Sequence, residues 1–573
     1  MLWIEEKTSD EGVKSLSTEL RISELLSHLL QVRGLTNAKE AELYLNPKLA
    51  HLADPFDLPK LEESVLRITQ AIEEKEPILI VGDYDVDGIT STVILKKTFN
   101  ELKVDASYVI PRRKYEGYGL TSEILARGLK MGDFKLVIAL DCGTNSVQEA
   151  VELKNLGLDL IIVDHHQAKG ELPTHSIILN PHLQKDQGEP WRQMCTAGLV
   201  FKLIHGLIKH LREKGNTLAM KLSPKESLAL AALGTISDMV PLNKENRILA
   251  RFGLKHLRKN PGIGLKALME EAKFNFSYDL ESEDVSFKLA PRINACGRLN
   301  SPETASQLLL SNDFENSRAL ARKMDDFNEK RKGIENLLTK DALNQAELKF
   351  LKLPAAIVFG KGEAWNPGVV GIVAGKMASA LRKPCIVLAY DDGLYRGSGR
   401  GVDGVDLVQA LSSCKELLQH WGGHPAAVGL SVEQKNLKDF TDTFMQSISS
   451  LFPESGKEQS LTIDATITLD NLQPEILSEL SQLGPFGQLN PDPILALKKV
   501  KLAQAPRKVG DGKHFQFLIR HDNNSVSGIA WKMGENVPPH DKLLDLAFRL
   551  KWNRWNNQNN IQMILLDWKI STD

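Results

Sequence analysis

The run GDYDVDG (82–88) sets Asp83, Asp85 and Asp87 at alternate positions directly after four apolar residues, ILIV (78–81). Three carboxylates so close together repel one another unless a cation lies among them, and a divalent metal is the simplest remedy. The plain alternative is an acidic turn that caps a helix starting near Ile89. That alternative weakens because more acidic groups follow later apolar runs: Asp141 in LDCGT, Asp164, His165 and His166 in VDHH, and Asp238 in GTISDMVPL. Carboxylates mixed with one or two imidazoles suit a pair of hard-to-borderline cations such as Mn2+ or Mg2+, and the lack of a cysteine cluster argues against structural zinc. Two such metals can activate water and stabilise the leaving oxygen in phosphoryl hydrolysis.

A second set of residues could hold the phosphates. In RINACGR (292–298), Arg292 and Arg298 flank Asn294, and in RGSGRG (396–401), Arg396, Ser398 and Arg400 lie among glycines that would let backbone N–H groups approach an anion. The alternative for any one arginine is a pairing with the site's own aspartates. His424, in GGHPAAVGL (422–430), either contacts phosphate or packs. Cys142 and Cys296 lie inside motifs without a base partner nearby, so a nucleophilic thiol is not expected.

The elements that must position these groups alternate in type. The short apolar runs ILIV (78–81), SYVI (107–110), LVIAL (136–140) and LIIV (160–163) are separated by stretches of helical period such as Thr90 to Leu102, the pattern of a parallel α/β sheet. Sites in such sheets form beyond the carboxyl ends of the strands, where GDYDVDG, DCGT and DHH fall. Residues 1–60 read as short helices in a supporting role, and 61–302 as the catalytic α/β domain. Between Pro302 and Pro354 there is no proline and only Gly333, with apolar residues at helical spacing, so 303–353 reads as long connecting helices. A smaller, glycine-rich α/β domain spans 354–455. The segment 456–573 carries the β-type runs FQFLI, SGIAW, LAFRL and IQMILLDW, which fit a small β-barrel.

Composition narrows the class. A chain of 573 residues implies roughly three to four domains at about 150 residues each, and 42% hydrophobic with 25% charged residues is ordinary for a globular protein. Net charge is −2, so a nucleic-acid partner needs a local basic surface. That surface is the tail: from Leu497 onward 13 Lys or Arg stand against 7 Asp or Glu. Trp552, Trp555, Lys551 and Arg554 are its candidate strand-binding residues, although alternate aromatics in strands usually face a core. Five widely spaced cysteines fit neither a disulfide framework nor a thiolate zinc site, and point to a reducing, cytoplasmic location. No apolar run approaches the roughly 18 residues of a membrane helix, and no membrane role is expected.

In this order and spacing, DYDVDG, DCGT, DHH and ISD resemble the DHH phosphoesterase superfamily. RINACGR, RGSGRG and GGHPAAVGL, followed by a β-rich tail, look like the RecJ exonucleases within it. The resemblance covers about residues 60 to 573. It implies a DHH domain, a linking helix, a smaller DHHA1-type domain and an OB-like barrel. It also implies metal-dependent 5′ to 3′ degradation of single-stranded DNA to 5′ mononucleotides, in recombination and repair, with a single-strand-binding protein and a DNA helicase as partners. Carried over by position, Asp83, Asp85, Asp87, Asp141, His165 and Asp238 would form the metal set, with Asp141 bridging. His166 would face the phosphate and Asp164 would orient an imidazole. Ser398, Arg400 and either Arg112 or Arg113 would grip the terminal 5′ phosphate, with Arg298 or Arg292 assisting. Val81 stands where some members carry a histidine, a departure that bears on one metal's ligand set.

Two other readings compete. A phosphodiesterase for short oligonucleotides or cyclic dinucleotides needs only the two α/β domains, which leaves the basic, Trp-rich tail without a purpose. A DNA-binding scaffold without metals should have lost part of the acidic set, which here is complete.

Overall fold

A computed structural model describes the chain except residues 113–115, 118, 185–187, 300, 453–459, 522–523, 555–559 and 573. Arg113 and Trp555 therefore lie outside the described residues. The catalytic half is built on a five-stranded, all-parallel sheet in the spatial order Ala106–Val109, Ile78–Val81, Leu136–Leu140, Asp159–Val163, Ser176–Leu179. Its strands are apolar on both faces because helices cover both. Ile78, Ile80 and Ile138 enter one core, while Leu79, Val81 and Val137 enter another. Strand order reverses between Ile78–Val81 and Leu136–Leu140, which is where an open α/β sheet leaves a crevice at its carboxyl edge.

The helix after the first strand begins at Val86, earlier than the expected Ile89, and runs to Glu101. Asp85 is its N-cap and accepts from the Gly88 N–H at 3.1 Å, so the acidic run caps a helix as well as gathering carboxylates. Gly88 is required there, since a Cβ would sit 2.6 Å from the Asp83 backbone.

The connection is one short helix, Glu303–Leu310, and one of 37 residues, Phe314–Phe350. The long helix enters the catalytic core through Met324 and the next domain's core from Leu338 onward. That second domain holds a five-stranded mixed sheet ordered Leu418–His424, Ala427–Glu433, Leu394–Arg400, Cys385–Asp391, Ala356–Gly360. The last domain is a seven-stranded mixed sheet.

The N-terminal segment does more than the expected support. Leu2–Glu5 pairs in parallel with Ser460–Ile463, and Leu16, Leu26, Leu29, Leu30, Ala41 and Leu45 join one core with Phe515, Phe548 and Met563 of the last domain. The two ends of the chain thus form one unit. No helix of the described residues is long and apolar enough to cross a membrane.

Candidate metal centre

The reversal of strand order brings together the groups that the sequence scatters over 156 positions, from Asp83 to Asp238. Asp83 and Asp141 follow the two strands that flank the crevice, and His165 follows the next one. Asp238 arrives differently, at the end of the buried helix Leu228–Ser237. Three sets of ligand atoms each lie within 4.8 Å of one another: Asp83, Asp85 and Asp141; Asp87, His165 and Asp238; Asp141, His165 and His166. Asp141 and His165 each belong to two of them. His165 Nε2 is 3.4 Å from Asp141 Oδ1, 3.5 Å from Asp238 Oδ2 and 3.8 Å from Asp87 Oδ2.

Electrostatics make this cluster costly without a cation. Burial first, and then the charges of Asp87, Asp85, Asp83 and Asp238, push the Asp141 carboxyl well above the carboxylate range. Burial and Asp85 bring Asp83 up to about 7, and burial and Asp87 bring Asp238 up to about 9. Burial holds His165 below its ordinary value despite Asp87, leaving it a neutral imidazole of the kind that binds metal. Asp83 Oδ1 is buried and without any hydrogen-bond partner. An orphaned oxygen inside a ring of repelling carboxylates, with imidazole beside it, fits a divalent cation. Burial pushes the thiols of Cys142 and Cys195 well up, and all five cysteines are free and buried, so no thiolate competes. Val81 is buried in the sheet's core and adds no ligand.

Asp164 has another task. It accepts from the backbone of His165 (2.8 Å), His166 (3.2 Å) and Thr144 (3.1 Å), and pairs with His166 Nδ1 at 2.7 Å. Burial alone would raise its pKa, yet the hydrogen bond and charge of His166 bring it far below the usual range. Burial would lower His166, but the bond to Asp164 raises it to about 9. Asp164 thus favours the protonated form of the half-exposed imidazole and leaves Nε2 for a ligand.

Thr196 went unnoticed in the sequence. Its N–H and that of Ala197 both donate to Asp87 at 2.8 Å, and its hydroxyl donates to Asp141 at 3.0 Å. Asp87 thus sits on the N-terminus of the helix Thr196–Glu213, where the backbone donors and dipole favour an anion. A threonine opening a helix carries no acidic signal, so only the fold reveals it.

The phosphate candidates divide. Asn294 accepts from the Val86 N–H at 3.1 Å, and a Cβ at Gly297 would lie 2.8 Å from the Tyr84 carbonyl, so RINACGR braces the acidic loop from behind. Arg292 pairs with Asp325 at 2.8 Å, outside the acidic cluster. Arg298 donates to the Gly368 carbonyl at 2.7 Å and so ties the catalytic domain to the second one. Arg112 pairs with Glu303 at 3.0 Å.

The backbone N–H groups of RGSGRG, expected to approach an anion, are engaged in a sheet. The motif lies in the strand Leu394–Arg400, whose neighbours on both sides take up its backbone. Its glycines serve close packing: a Cβ at Gly397 would stand 2.1 Å from the Val387 carbonyl. Arg396 is exposed, 3.7 Å from Asp391. Ser398 and Arg400 bond each other at 2.7 Å, and among the described residues Arg400 has no carboxylate partner. His424 is exposed at the end of its strand, in the hairpin to Ala427–Glu433.

The tail candidates are largely structural. Lys551 lies 3.0 to 3.4 Å from Asp492, Glu283 and Glu281, which neutralise it and join barrel to catalytic domain. This strand-binding candidate therefore meets three carboxylates rather than standing alone on the surface. Arg554 stacks on Tyr278 at 4.3 Å across the same seam, and Trp552 packs partly against the barrel core. Phe515 and Phe517 are buried, whereas Trp531 is 54% exposed.

Comparison with known proteins agrees with this arrangement. Residues 77–235 match the N-terminal domain of the DHH family, 352–450 the DHHA1 domain, and 463–567 the RecJ OB domain. The single-stranded-DNA-specific exonuclease RecJ of Bacillus subtilis is 35% identical over 100% of this chain and 71% of its own. A crystal structure of Thermus thermophilus RecJ in complex with Mn2+ superposes with a TM-score of 0.85 at 27% identity, covering 100% of this chain and 80% of that one. The same protein in complex with Mg2+ gives 0.79 at 26%, covering 100% and 79%.

Proposed function

Because this chain belongs to the RecJ family of exonucleases, we propose that it is a metal-dependent exonuclease that hydrolyses single-stranded DNA from the 5′ end to 5′ mononucleotides. The observation that carries this reading is the set of carboxylates and imidazoles converging at the strand-order reversal, with Asp141 and His165 common to two groups.

Asp83, Asp85, Asp87, Asp141, His165 and Asp238 would hold two divalent ions, Mn2+ or Mg2+. When bound, such a pair supplies Lewis-acid activation of water and neutralises charge at the phosphate. The chain's own residues do the rest. Asp141, common to two of the ligand groups, would serve both ions, and Thr196 fixes its carboxylate through the 3.0 Å hydrogen bond. Asp164 orients His166, whose raised pKa keeps a proton on the imidazole for a charge-assisted hydrogen bond to a phosphate oxygen. Ser398 and Arg400 hold the terminal 5′ phosphate, a role supported by a guanidinium turned to no carboxylate among the described residues. Arg112, Arg298 and His424 lie along the same strand path in this reading. Recombination and repair, a helicase that frees the strand, a single-strand-binding protein that coats it and a cytoplasmic setting complete it; five free, buried thiols suit that compartment.

The test is digestion of end-labelled DNA in Mn2+, comparing single strand with duplex and 5′ with 3′ labels. Immediate release of 5′-labelled mononucleotide from single strand alone is expected. Cleavage of only dinucleotides or cyclic dinucleotides would overturn the reading.

A further inference from the structure

Two large apolar side chains stand in solvent, one directly after the acidic cluster's Asp238 and one on a turn that meets the segment leaving it. Met239, the residue after Asp238, is 70% exposed, and Leu489 is 66% exposed. Both have positive φ, 56° and 54°, a conformation in which bulky residues are uncommon. Met239 closes the helix Leu228–Ser237, its N–H reaching the Ile236 carbonyl at 3.4 Å, at a place where glycine is the usual choice. Leu489 is the third residue of the turn Gly487–Asn490, which is closed by hydrogen bonds of 2.9 and 3.1 Å, and a positive φ there again suits glycine or asparagine.

The segment that follows Met239 touches the second turn. The Leu242 N–H donates to the Gln488 carbonyl at 2.8 Å, and a Cβ at Gly487 would lie 2.7 Å from Leu242 Cδ1. Asn490, itself buried, holds the second turn rigid by donating to the Leu483 and Pro485 carbonyls at 2.9 and 2.8 Å and accepting from the Tyr44 hydroxyl at 2.7 Å. Backbone preference and water both disfavour these side chains, and neither belongs to a core. Strain and exposure together at one seam point to a ligand.

We propose that Met239 and Leu489 form an apolar ledge on which unpaired bases rest as the strand's backbone enters the acidic cluster. This rests on the exonuclease reading above. Asp238 lies 3.5 Å from His165 Nε2, so the ledge starts one residue from the groups that would hold metal. A thioether and an isobutyl group accept any base face and read no hydrogen-bonding edge, which suits a sequence-tolerant enzyme. In duplex the same faces are stacked and paired, so the ledge adds preference for single strand.

Met239→Gly and Leu489→Gly, singly and together, remove the side chains while relieving the positive φ, so Tm should hold or rise. KM for Mn2+-dependent release of the terminal nucleotide is measured on short 5′-phosphorylated oligonucleotides carrying one abasic site, moved stepwise from the 5′ end. The parent should show KM raised about fivefold to tenfold at one or two positions. The double variant should show a similar rise on the intact strand, a flat abasic profile and a far smaller change in kcat. A flat profile in the parent, a positional penalty that survives in the double variant, or a lowered Tm overturns the ledge. Release of nucleotide from unmodified strand by the parent reports on the exonuclease reading separately.

Discussion

Arg247→Met should loosen the barrel from the catalytic domain. Arg247 is 2% exposed and has no carboxylate partner among the described residues. It donates instead to the Tyr44 carbonyl at 3.2 Å, Gln482 at 3.0 Å and Leu483 at 2.8 Å, and lies 3.8 Å over the Tyr44 ring. Those carbonyls end the helices Ala38–Leu45 and Pro474–Gln482, whose negative poles replace a counter-ion. Bonding from a charged group is worth about 1.5–3 kcal/mol for each of the three carbonyls. Against this, burial lowers the guanidinium from 12.5 to about 10, which costs about 3 kcal/mol. The net is about 1.5–6 kcal/mol, or roughly one to four orders of magnitude in docking. Limited proteolysis and small-angle scattering would show a more open molecule, with KM rising on long strands more than on very short ones. Methionine at this position with unchanged scattering, Tm and long-strand KM would refute the reasoning.

Asp141→Asn keeps the backbone conformation that asparagine tolerates at φ 64° while removing the charge common to two ligand groups. Turnover in Mn2+ should fall more than about 100-fold, while the metal-free Tm holds or rises because a repelling carboxylate is gone; full activity would sink the two-metal assignment. Thr196→Val should cost about 10–100-fold in metal affinity, read by Mn2+ titration of activity, since Asp141 loses its hydroxyl donor. Arg400→Leu should raise KM about tenfold or more for 5′-phosphorylated strand and leave 5′-hydroxyl strand little changed, measured with matched oligonucleotides; equal effects would remove Arg400 from the phosphate. Chelation with EDTA should abolish activity and Mn2+ restore it.

Much was legible because strand alternation and local motifs are short-range properties. The apolar runs marked four strands of the catalytic sheet, and the acidic residues after them marked its carboxyl edge. The linking helix followed from a stretch without proline. The place of the RGSGRG glycines was not legible, since composition cannot distinguish glycines that open backbone N–H groups to an anion from those in a strand whose neighbours leave no room for a Cβ. The pairing of Lys551 was hidden for a related reason: a basic tail states a charge sum, not which lysine already faces Asp492 and Glu283.

What the amino-acid order specified was the chemistry: hard ligands at fixed places along the chain, a class of metal and a family of enzymes. Which of these groups come within 4.8 Å of one another, that Thr196 braces Asp141, and that the N-terminal helices complete the last domain's core depended on contacts between distant residues. Such contacts carry no local pattern, because sheet order and helix packing are chosen by burial summed over the whole chain.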